Sequence, residues 1–127
     1  MGSSEQPQEN KRIVARFFEI ALGEGEDLDL LDELVAVDYV QHNPAAGQGL
    51  EDVKSFMRDV LRPRKRQEPD EYKPHTVNYI AEEDLVVRQE IRPVGMLIDI
   101  FRVEDGMLRE HWDAYRPAPG ADGYPWF

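Results

Sequence analysis

The side chains able to do chemistry in this chain are few, and most of them cluster late. Cysteine is absent, which removes disulfides, thiolate nucleophiles, iron–sulfur clusters and cysteine-bound zinc. Imidazole chemistry must use His42, His75 or His111. No pair of histidines stands at metal-ligand spacing, and Gly47-Gln48-Gly49 is too short for a phosphate-cradling loop. Ser3 and Ser4 fall in a polar leader and Ser55 in a helix, so none is a good nucleophile. What remains is the run Asp99–Asp113, DIFRVEDGMLREHWD, with Asp99, His111 and Asp113 close together in a predicted hairpin.

A three-residue turn at Glu104-Asp105-Gly106 would pair Val103 with Met107, Asp99 with His111 and Leu97 with Asp113. Asp99, His111 and Asp113 then share one sheet face with Leu97 and Phe101. Carboxylates set among apolar side chains are partly desolvated and become usable acids or bases near neutral pH. A two-residue Asp-Gly turn would instead put Asp99 opposite Trp112, so the argument depends on the turn. His42, between Gln41 and Asn43 before Pro44, is a second candidate for the same pocket. His75 is expected at the surface. Arg88 and Glu90 share a strand face and form either a buried or an exposed ion pair.

The elements that position these residues follow from periodicity. Residues 1–9 read as a disordered leader. Asn10–Leu22 predicts a helix capped by Asn10, with Phe17 on its apolar stripe. A short helix through Leu30, Leu31, Leu34 and Val35 follows, then an extended piece, Val37–Asn43, that includes Tyr39. Leu50–Leu61 predicts a helix carrying Phe56 and ending at Pro63. Arg62–Arg66 reads as part of an exposed linker. From Tyr72 the period changes to two, with strands at Pro74–Ala81, Leu85–Arg92, Val94–Val103 and Met107–Tyr115. Residues 117–127 form a Pro/Gly-rich tail ending in Tyr124, Trp126 and Phe127. Helices first and strands after predict an α+β domain over residues 10–116, a curved antiparallel sheet wrapped around the helices as a cone with an apolar pocket.

Composition narrows the partners. The 127 residues fit one domain, and 26 Asp and Glu against 15 Lys and Arg give a net charge of −11. Such an acid excess repels nucleic acid and anionic membranes. No apolar run reaches the roughly 20 residues of a membrane span. The polar start lacks a signal peptide's apolar stretch, so a cytoplasmic protein is expected.

Two segments, Asp38-Tyr39-Val40-Gln41-His42-Asn43-Pro44 and Asp99–Asp113, resemble the SnoaL-like polyketide cyclase branch of the nuclear transport factor 2-like superfamily. The likeness runs from about Asn10 to Arg116. It implies a cone fold, a homodimer, and ring closure by intramolecular aldol condensation without metal or cofactor. The acid/base aspartate of such cyclases corresponds to Asp113, and a polar pocket residue on the preceding strand to Asp99. His42 or His111 would donate a hydrogen bond to a developing enolate oxygen. Tyr39, Asn43, Phe17, Phe56, Leu97, Phe101 and Trp112 would line a site for a small hydrophobic carbonyl compound. The link Arg92-Pro93-Val94-Gly95 is shorter than in many such cyclases, which suits a smaller substrate. Isomerisation fits the same residues. Epoxide-hydrolase-like ring opening by the two aspartates, and a non-catalytic binding or dimerisation module, are the alternatives, because this superfamily fixes fold better than reaction.

Overall fold

Helical spacing of Val14, Phe17, Ile20 and Ala21 places four side chains on one side of α1 (Glu5–Leu22), and all four are buried. The computed structural model describes residues 5–118. Residues 1–4 and the aromatic end of the tail lie outside this range. The helix starts at Glu5, five residues before the predicted cap and inside the predicted leader. Pro7 is tolerated because N–H groups of a first turn have no helical acceptor. Asn10 therefore sits within the helix, buried, accepting from Gln6 and donating to the Glu83 carbonyl. It ties α1 to the β2–β3 turn instead of capping.

A 3₁₀ turn (Leu28–Glu33) leads into β1 (Val35–Gln41). After a second 3₁₀ turn (Pro44–Ala46), α2 (Gly49–Phe56) passes through a π-helical turn (Met57–Leu61) into α3 (Arg62–Arg66). The predicted stop at Pro63 does not occur. Proline cannot donate to the preceding turn and crowds it, and a widened π turn relieves both problems, with the Arg62 N–H reaching Met57. Nor is Arg62 part of an exposed linker. Its guanidinium donates to the carbonyls of Ile20 and Ala21 at the end of α1 and of Glu26 in the following loop, at 2.6, 3.0 and 3.1 Å. These are carbonyls a helix end leaves without partners. Arg62→Met should lower stability by about 2–4 kcal/mol, since bonds to a charged donor contribute about 1.5–3 kcal/mol each. The midpoint of urea unfolding measures it.

The strands β2 (Thr76–Glu82), β3 (Leu85–Arg92), β4 (Gly95–Glu104) and β5 (Met107–Pro117) follow as an antiparallel meander. The sheet order is β1-β5-β4-β3-β2. It is open and mixed, because β1 pairs with β5 in parallel, which corrects the all-antiparallel expectation. The inner face holds Val86, Phe101, Val103 and Leu108 against α1 and α2. The outer face carries Ile80, Val87, Ile100 and Trp112 side by side on four successive strands. Among the described residues no helix is long and apolar enough to cross a membrane.

The β4–β5 hairpin departs from its predicted register. Asp105 and Gly106 have φ of 52° and 76°, the left-handed pair of a two-residue type I′ turn. Glu104 and Met107 pair directly across it. Arg109 is then an extra residue between the pairs Val103/Leu108 and Arg102/Glu110, a β-bulge. A two-residue turn alone would have reversed the faces, and the bulge reverses them back. Asp99 consequently lies opposite Asp113 and Phe101 opposite His111, not Asp99 opposite His111. Asp99, His111, Asp113, Leu97 and Phe101 still share one face.

Candidate active site

That face looks into a cavity of about 680 Å³ between the sheet and the helices. Phe17, Phe56, Leu97, Phe101, Tyr39 and Asn43, expected as its wall, all line it, as do Asp99, His111 and Asp113. Phe17 and Phe101 meet with ring centres 5.6 Å apart, and Phe101 lies against the His111 ring at 4.5 Å. Asp99 and His111 are buried, while Asp113 is open to solvent as well as to the cavity.

Strand alternation sets what reaches the inside. Gln41 pairs with His111 across β1 and β5. Its amide oxygen accepts from the Asn43 backbone N–H at 3.0 Å and meets His111 Nδ1 at 2.8 Å. The other ring nitrogen, Nε2, lies 2.8 Å from Asp99 Oδ1. Asn43 Nδ2 donates to Asp113 Oδ2 at 3.0 Å, and Asn43 Oδ1 accepts from the Ala45 N–H. Gln41, Asn43 and the three acid/base groups thus form two adjoining hydrogen-bonded sets.

Proton accounting follows from these contacts. The Gln41 atom facing the Asn43 N–H must be its oxygen, because a backbone N–H only donates. That oxygen also requires a proton on His111 Nδ1. The contact between Nε2 and the Asp99 oxygen then needs a second proton between them. Hydrogen bonds at both ring nitrogens together require one proton more than a neutral imidazole beside a bare carboxylate carries.

His42 and Trp112 do not reach this site. Both lie on the outer side, where the His42 ring stacks on Trp112 at 4.9 Å and 6°. His42 Nε2 is 2.7 Å from Glu110 Oε2, and His42, with Arg102, holds the Glu110 carboxyl below the usual carboxylate range. Tyr39 already faced the expected pocket. Counting by twos from it selects Gln41 and Asn43 and passes over His42, the signal by which Gln41 could have been found. Arg88 and Glu90 form the buried version of their ion pair, with Arg92 beside them.

Tyr39 is 2% exposed. Burial pushes its phenol well above the ordinary value, the charges of Asp99 and Asp113 push the same way, and a hydrogen bond from Gln41 opposes them. A group raised in the folded state adds stability below its unfolded pKa, about 10, and loses it as pH climbs further. Tyr39→Phe should therefore flatten the fall in urea midpoint above about pH 10 relative to wild type. An unchanged slope would contradict the assignment.

Asp99, His111 and Asp113 each offer one ligand atom, all within 4.8 Å of one another. Both His111 ring nitrogens are already engaged, so a cation here would displace the bond to Asp99.

Against known proteins, a family model described as a SnoaL-like domain matches residues 14–111. No curated protein matches by sequence. Among solved structures, an NTF2-like protein from Burkholderia xenovorans LB400 is similar with a TM-score of 0.64 at 17% identity, covering 87% of this chain and 91% of that one. A candidate SnoaL-like polyketide cyclase from Jannaschia sp. CCS1 gives 0.59 at 19% identity, covering 86% of each chain. An LEH-like epoxide hydrolase of M. tuberculosis gives 0.55 at 17%, covering 87% and 85%. These likenesses agree on the α+β fold described above. With the family model spanning most of the chain, from α1 to the buried histidine of β5, the protein belongs to the SnoaL-like domain family.

Proposed function

We propose that this protein is an acid/base enzyme acting on a small apolar carbonyl compound, catalysing aldol-type ring closure or isomerisation without a cofactor. Asp113 removes a proton alpha to the carbonyl. Asn43 holds its carboxylate at 3.0 Å and keeps it turned toward the cavity. The His111–Asp99 pair supplies the acid, delivering its extra proton or a strong hydrogen bond to the developing enolate oxygen. Tyr39, kept protonated by burial, is a second donor on the same wall. A positioned base contributes about 10²–10⁴-fold, and preorganised donors at the oxyanion a further large factor. The observation that carries this reading is the chain Gln41–His111–Asp99, with a 2.8 Å contact at each ring nitrogen and a separate carboxylate, Asp113, within 4.8 Å of it.

Proton exchange tests it without the natural substrate. 2-Tetralone incubated with the protein in D₂O should lose its alpha-proton NMR signals faster than in buffer, and the rate should saturate with ketone. Exchange at the buffer rate for 2-tetralone and for a panel of aliphatic ketones would overturn the reading.

Two carboxylates in one cavity also suit a ring-opening hydrolase, with Asp113 activating water and the His111–Asp99 pair protonating the leaving oxygen. Transfer of oxygen-18 from labelled water into the diol formed from styrene oxide would select this second reaction.

The row Ile80, Val87, Ile100 and Trp112 gives the outer sheet face the apolar character of a subunit contact, with Ile80 60% exposed. A second copy of the chain is the proposed partner. Light scattering at micromolar protein should report a dimer for wild type and a monomer for Ile80→Lys combined with Val87→Lys. A wild-type monomer would rule it out.

A further inference from the structure

The cavity has a second charged pole that the proton-transfer residues leave unused. Arg88, Glu90 and Arg92 alternate along β3 and all line the cavity. Arg88 is 7% and Glu90 3% exposed, and the Arg92 side chain 13%. One carboxylate serves two guanidiniums. Glu90 Oε2 takes Arg92 Nη2 at 2.9 Å and lies 3.5 Å from Arg88 Nη1. Arg88 is further held by the Tyr79 hydroxyl, 3.1 Å from its Nε, and by the Phe18 ring face 4.0 Å away. Asp99, the register partner of Arg88 on β4, spends its carboxylate on His111. Arg92 Nε is shut off from solvent and has no hydrogen-bond partner among the described residues. A largely desolvated trio, with Arg88 and Glu90 buried and Arg92 partly so, that carries a surplus positive charge and an unmet N–H is unfavourable empty, and an anion satisfies both deficits.

We infer that the cavity binds a carboxylate-bearing ligand, its carboxylate seated on the Arg88–Arg92 pole and its apolar chain running toward Asp113. Planar forked donors fit carboxylate oxygens better than a point charge does. Arg88, Asp99 and Asp113 stand in register on three adjacent strands, so cation and base are separated by about 10 Å of sheet. A keto acid whose two polar groups stand about 10 Å apart along an extended chain spans that gap. The inference rests on the proposed function only for where the carbonyl goes; the anion pole stands without it. The chain's net charge of −11 opposes anions at long range, so the preference arises from contact and holds at about 0.15 M salt, where distant charges are screened.

Calorimetry with 9-oxodecanoate and its methyl ester, identical in skeleton and different in charge, tests it. The acid should bind wild-type protein about tenfold or more tightly than the ester. Arg92→Met should bring the two within about twofold, while Asp113→Asn keeps the preference for the acid. Equal affinities in wild type, or no binding of the acid, would overturn the inference, and that comparison needs no variant to fold. An undiminished preference in folded Arg92→Met would overturn it as well. Alpha-proton exchange with equal binding of acid and ester sinks the anion pole and spares the acid/base reading. Preference for the acid without exchange in any ketone does the reverse.

Discussion

Asp113→Asn should cut alpha-proton exchange by about 10²–10⁴-fold while leaving the fold intact. The amide oxygen still accepts from Asn43 Nδ2, so the geometry at 3.0 Å is retained and only the basic lone pair is lost. Asp113 is solvent-accessible and its carboxylate is held by the neutral amide of Asn43, so stability should change by less than about 0.5 kcal/mol. Ketone binding should persist, because the apolar wall is unchanged. Exchange at wild-type rate in this variant would remove Asp113 from the mechanism, and a collapse in stability would mean its role is structural.

Asp99→Asn should have the second large effect, through a different step. On the proposed mechanism the 2.8 Å contact between His111 Nε2 and Asp99 Oδ1 carries the proton that is transferred. An amide there can donate its own N–H to Nε2, preserving a hydrogen bond but offering no acid. Exchange should fall by about 10²–10³-fold, with about 1 kcal/mol lost in stability. Asp99→Ala should behave otherwise. Removing one partner of a buried charged pair costs about 3–5 kcal/mol, and here it strands His111, which is 7% exposed. Exchange kinetics together with urea midpoints for both variants separate the chemical role from the packing role. Equal destabilisation by Asn and Ala would contradict the shared proton.

Much of this site was legible from residue type and alternation. The run MLIDIFRV places an aspartate among apolar side chains, and that aspartate is buried. The set Asp99, His111 and Asp113 shares a face because parity survives any even shift of register. Its pairing was not legible. The Asp105-Gly106 turn and the extra Arg109 are separate local features whose effects on facing cancel, and a bulge at an arginine has no marker in residue type. His42 misled through its chemistry, because a histidine beside Asn-Pro attracts a functional reading. Backbone alternation instead sends it outward and sends Gln41 in. The parallel seat of β1 beside β5 depends on the long crossover through α2 and α3 and leaves no local pattern. Arg62 was grouped with its basic neighbours, yet its side chain reaches back to the carbonyls at the end of α1.

The shared proton is the feature on which the acid half of the mechanism depends, and the His111 ring reports it directly. Long-range ¹⁵N–¹H NMR of the imidazole near neutral pH should show Nδ1 protonated, with a further strongly downfield proton in the hydrogen bond between Nε2 and Asp99. That downfield proton should vanish in Asp99→Asn. An Nδ1 without a proton, or a ring with no proton in its contact to Asp99, would contradict the account.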